Sequence, residues 1–114
     1  LPTSSYPEQA GYQAYLEVRQ QPDQLVVTGH CRSTDARPAV LRYEFLLAKQ
    51  GPSGTSRNLQ SGNVEVGAGE HKLLSQTSLN ATPADSYRIR LRLLTTQGVV
   101  LAEDSLVQIA AIRP

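Results

Sequence analysis

Phe45-Leu46-Leu47-Ala48-Lys49-Gln50-Gly51-Pro52-Ser53-Gly54-Thr55-Ser56-Arg57-Asn58-Leu59-Gln60-Ser61-Gly62 joins an apolar run to an unusually polar one through Gly-Pro-Ser-Gly. Gly51 and Gly54 can supply positive φ, and Pro52 holds φ near the value that a turn's second residue needs. The stretch predicts a β-hairpin. Its returning strand, Ser56 to Gly62, carries little that a core would accept, which places it at the edge of a sheet.

Working outward, period-two alternation recurs at Tyr12 to Gln20, Gln24 to Arg32, Ala39 to Lys49, Ser56 to Val66, His71 to Leu79, Ser86 to Thr96 and Val99 to Ile109. Turn residues such as Asp35-Ala36-Arg37-Pro38, Gly67-Ala68-Gly69 and Gln97-Gly98 separate them. No window keeps an i, i+3, i+4, i+7 apolar pattern for three turns, so helix is excluded as the main element. Seven short strands at this spacing predict an all-β, immunoglobulin-like β-sandwich over residues 12–110. Residues 1–11 read as a flexible leader and 111–114 as a tail. The chain has no Trp and one cysteine, so its core must be built from Leu, Val, Ile and Tyr, without the antibody-type disulfide. Asp85-Ser86-Tyr87 resembles a tyrosine corner, which gives Tyr87 a structural role.

The sixth strand is the most two-faced. Tyr87, Ile89, Leu91 and Leu93 fall on one side and Arg88, Arg90 and Arg92 on the other, the cations about 7 Å apart. In an immunoglobulin-like sandwich the third strand is its neighbour, burying Leu41, Tyr43, Phe45 and Leu47 and turning Arg42 and Glu44 outward. The exposed face of that sheet is therefore rich in arginine. Arginine stems cover sheet surface well, and a polar exposed face needs no further explanation. Three like charges with one acidic neighbour, however, are better tolerated when a partner supplies carboxylates or amides, which guanidinium forks bind. The polar strand around Asn58 and Gln60 is a second candidate contact surface. It is either an edge kept polar against self-aggregation or a site of strand addition.

Charge and chemistry exclude more than they assign. With 11 basic and 10 acidic residues the net charge is +1, so no bulk field points to nucleic acid. No apolar stretch is long enough to cross a bilayer as a helix, and the opening residues show no signal-peptide pattern; the sequence reads as a mature or truncated soluble domain, expected to be a monomer. Cys31 cannot close an intrachain disulfide. His30 and Cys31 are strand neighbours on opposite faces, which does not suit a base and nucleophile pair. His71, between Glu70 and Lys72, has the setting of a solvated turn. No catalytic residue, metal site or cofactor is expected.

The hairpin, continued by Val64-Glu65-Val66-Gly67-Ala68-Gly69-Glu70 and Tyr87-Arg88-Ile89-Arg90-Leu91, resembles the curli accessory family of the CsgH and CsgC type over about Arg42 to Leu106. The resemblance implies a small periplasmic immunoglobulin-like domain. It also implies a chaperone-like function in biofilm formation: preventing premature amyloid polymerisation of the curli major subunit, its partner, by weak substoichiometric contacts. CsgC of enterobacteria carries a Cys-x-Cys pair upstream of the equivalent turn. Those positions fall near Ala39 and Leu41 here, so a redox role does not transfer and the CsgH branch is favoured. Two other classes remain open. One is an immunoglobulin-like adhesion or fimbrial module, marked by a surface anchor or donor strand in the full-length product. The other is a redox helper acting through Cys31.

Overall fold

Alternation becomes seven antiparallel strands in the computed structural model, which describes residues 11–22, 24–52, 54–80 and 84–109. They are β1 (Tyr12–Gln20), β2 (Leu25–Ser33), β3 (Ala39–Gly51), β4 (Gly54–Val66), β5 (His71–Leu79), β6 (Ser86–Leu94) and β7 (Val100–Gln108). A three-stranded sheet in the order β1-β2-β5 faces a four-stranded sheet in the order β4-β3-β6-β7. This is the immunoglobulin-like sandwich that the spacing predicts, with β3 and β6 paired as expected. Apart from Gly11, the leader lies outside the described residues, as does the tail.

Alternate residues of both sheets turn inward because a sheet has two faces and one of them must leave water. Leu25 and Val27 of β2 meet Phe45 and Leu47 of β3 and Ile89 and Leu91 of β6 in one buried cluster. Tyr12, Cys31, Leu41, Val66, Leu93 and Leu101 form a second. Gly29 lies between the sheets where a Cβ would stand 3.3 Å from Leu91. Its missing side chain makes room for the larger one.

The turn between β3 and β4 closes with Gly51 opposite Gly54. Gly54 has φ of 114°, as the sequence suggests. Gly51 corrects the expectation: its φ is not positive, and it is small for another reason. A Cβ there would lie 2.7 Å from the backbone of Asp85, so the approach of the strand β6 entry is what excludes a side chain. Tyr87 also departs from its expected role. It is buried in the first core cluster, and burial pushes its phenol above the usual tyrosine pKa, but among the described residues its hydroxyl makes no tyrosine-corner bond to backbone.

The two sides of the sandwich differ. Asp104 of β7 reaches across the sheets and accepts a 2.8 Å hydrogen bond from the Leu16 backbone N–H of edge strand β1. A carboxylate bound this way closes the seam and removes an unpaired edge donor. Asp104→Ala is expected to lower unfolding free energy by about 1.5–3 kcal/mol, the range for a hydrogen bond to a charged group, as measured by urea denaturation. A loss below about 0.5 kcal/mol would show that the seam holds without it.

Candidate functional site

Cross-strand register assembles the outward face of the four-stranded sheet row by row, because residues paired across strands share a face. Arg57 of β4 lies opposite Ala48 of β3, Ala48 opposite Arg88 of β6, and Arg88 opposite Val107 of β7. The next row is Leu59, Leu46, Arg90 and Ser105, and the third is Ser61, Glu44, Arg92 and Glu103. Beyond it Arg42 faces Asn63 and Leu94. The predicted partner-binding residues Arg42, Glu44, Arg88, Arg90 and Arg92 thus share one surface, joined by Arg57, whose register needed the hairpin.

The charge on this face is less uniform than the sequence suggests. Arg92 donates to Glu44 at 3.3 Å, and Arg90 stands 3.1 Å from Glu103. Glu103 on β7 is a second acidic neighbour that the sixth and third strands alone do not disclose. It holds the middle of the ladder in place. Arg42, Arg57 and Arg88 are exposed and make no ion pair among the described residues. Arg57 and Arg88 also line a cleft of about 470 Å³ at the hairpin end of the sheet, floored by Ala48 and Tyr87 and bordered by Val107 and Ile109. Exposed Leu59, Val107 and Ile109 add apolar surface beside these two cations. Carboxylates and amides on a chain laid across this row would meet two guanidinium groups free to turn toward them.

Asn58 and Gln60 belong elsewhere. Each pairs with an inward residue, Leu47 and Phe45 respectively, so both point away from the arginines. β4 does form the sheet edge, as its polarity predicts. Gln60 is nonetheless engaged: the Ser75 hydroxyl of β5 donates to its Oε1, clipping the second seam of the sandwich. Asn58 is exposed where β4 extends past that clip.

Cys31 is fully buried. Burial pushes its thiol above the usual cysteine pKa, with the Lys72 backbone hydrogen bond acting in the opposite direction and Glu70 adding to the rise. The thiolate is the reactive form, so Cys31 is expected to react with a disulfide reagent far more slowly in native buffer than in urea. Rapid native labelling would revive a redox role.

The largest surprise is on the outer face of the other sheet. His30 and His71, expected to be unrelated, lie in contact: His30 Nδ1 is 3.0 Å from His71 Nε2. Tyr15 stacks on His30 with ring centroids 4.8 Å apart, and Glu17 accepts from His30 Nε2 at 2.8 Å. His71 is exposed as expected, but it is part of a cluster and not a solitary turn residue. The pairing of β2 with β5 creates this contact.

No protein-family model and no curated protein sequence matches the chain. Solved structures do. The Escherichia coli curli protein CsgC superposes with a TM-score of 0.70 at 22% identity, covering 83% of this chain and 97% of that one. CsgH of R. palustris gives 0.62 at 23% identity, covering 83% of this chain and 90% of that one. Bacteroides uniformis β-glucuronidase 2 gives 0.60 at 17% identity and covers 85% of this chain, but the match takes in only 14% of the enzyme. The class defined by these likenesses is the small immunoglobulin-like β-sandwich. CsgC and CsgH share it over nearly their whole length, whereas the enzyme shares it over a small part of its own.

Proposed function

We propose that this chain is a curli accessory protein of the CsgC and CsgH type, a periplasmic, non-catalytic, monomeric inhibitor of amyloid polymerisation by the curli major subunit. The observation that carries the reading is the fold shared with two curli proteins over at least 90% of each. The contact surface is the outward face of the four-stranded sheet, with Arg57 and Arg88, which share one row and make no ion pair among the described residues, at its centre and Arg42, Glu44, Arg90 and Arg92 around them.

Affinity arithmetic favours weak contacts with rare species. Sequestering monomeric client requires near-equal concentration and a dissociation constant of about 1 μM or tighter, roughly −8 kcal/mol. A charged face with scattered aliphatic residues is a poor source of that. Growing amyloid ends add strands to an exposed template, so one bound inhibitor can stop many additions. The test is dye-monitored polymerisation of a curli major subunit with this domain at about one part in a hundred. The lag should lengthen, and added salt should shorten it again because exposed charges are screened. No effect even at equal concentration would overturn the proposal.

A further inference from the structure

We propose that Tyr15, His30 and His71 form a binding site for a divalent transition-metal ion, copper(II) above all. The inference is independent of the curli reading and rests on how three polar atoms converge. His71 Nε2 lies 3.0 Å from His30 Nδ1 and 2.8 Å from the Tyr15 hydroxyl oxygen. His30 Nε2 lies 2.8 Å from Glu17 Oε1. An ionised carboxylate only accepts, so His30 carries its proton on Nε2 and, when neutral, presents the Nδ1 lone pair to His71.

That arrangement leaves the single Nε2 position of His71 to serve two contacts. Protonated, Nε2 donates to His30 Nδ1 and the Tyr15 hydroxyl hydrogen must turn elsewhere; unprotonated, it accepts from Tyr15 and meets the His30 Nδ1 lone pair head-on. A metal ion between the three atoms removes that conflict, with His71 carrying its proton on Nδ1 and the Tyr15 hydroxyl releasing its proton to solvent as it ligates. Ligands about 2.0 Å from one ion stand about 2.8 Å apart at right angles and about 3.3 Å apart at the tetrahedral angle. The two observed separations lie within this range. The exposed His71 ring can pivot to admit the ion, while burial and stacking against Tyr15 hold His30.

Glu17 supplies what metal-binding histidines generally have, a carboxylate on the ring's other nitrogen that fixes the tautomer and raises basicity. Among the described residues no three His, Cys, Asp or Glu side chains converge on one point. The protein therefore offers two imidazoles and a phenol oxygen, with water completing the shell. Nitrogen-rich sites with open positions favour copper(II) over nickel and zinc by the general order of affinities. Arg32, opposite His71 in the strand register, opposes a cation there and Glu17 offsets it.

Titration of the full chain with copper(II) chloride, followed by calorimetry and electron paramagnetic resonance, tests the site. One equivalent should bind with the signature of two coordinated imidazole nitrogens, and zinc chloride should bind more weakly. His71→Ala, at an exposed position, should lose at least tenfold in affinity and one nitrogen coupling. Glu17→Gln should weaken binding about tenfold or more, and Cys31→Ser should leave it unchanged. Equal binding by the native chain and His71→Ala would overturn the site. So would no saturable binding by the native chain, which would leave the cluster a polar network alone.

Discussion

Arg57→Glu combined with Arg88→Glu is expected to abolish lengthening of the polymerisation lag at one part in a hundred, with the fold retained by circular dichroism. The two side chains occupy one row, on either side of Ala48. Both are exposed and free of ion pairs among the described residues. Reversing them leaves no glutamate without its partner, so stability should change by about 0.5 kcal/mol or less. Changing Arg90 or Arg92 is a poorer test. Glutamate at position 92 would lie directly opposite Glu44 and Glu103, and at position 90 it would replace the ion-pair partner of Glu103 with a like charge; like charges so placed destabilise a sheet. Inhibition that survives the Arg57 and Arg88 reversal would move the contact to the exposed end of β4 around Asn58. Lost inhibition by a folded double variant places it on the arginine row.

Much of this surface was legible before the fold because strand alternation is a local property. β1 and β5 begin and end where their periodicity does, at Tyr12–Gln20 and His71–Leu79. The inward set Tyr87, Ile89, Leu91 and Leu93 is buried as its pattern requires. What alternation does not carry is which strands touch and in what register. Arg92 meets Glu103 because β6 pairs with β7 at that position, and no spacing within β6 reveals it. Gln60 faces Ser75 because the sheets close on that side. The His30 and His71 contact joins positions 41 residues apart, and a register shift between Gly29 and His30 breaks the simple parity that could have brought them together on paper. Gly51 shows the same limit: a glycine beside a proline reads as a turn residue, whereas its constraint is the nearby Asp85 backbone.

Phe45→Ala is expected to cost about 3–5 kcal/mol of unfolding free energy, the range for deleting a buried aromatic ring. Phe45 is the chain's only phenylalanine and is 1% exposed at the centre of the first core cluster. Its ring lies close to the space left by Gly29, beside Leu91, so both sheets meet around it. The backbone of three central strands limits collapse into the void, and no Trp or Met is present to refill it. Small domains hold only about 5–15 kcal/mol in total, and the melting temperature should fall by roughly 12 °C or more. The domain would then be marginal at growth temperature, and part of it would expose β-strands of its own to the client. Inhibition by this variant should weaken in proportion to its unfolded fraction, while at low temperature, where it is folded, the intact arginine row should inhibit as the native domain does. A loss below about 1 kcal/mol in urea denaturation would mean that the two sheets can close over the missing ring, and the core's weight would then rest on Leu91 and Ile89.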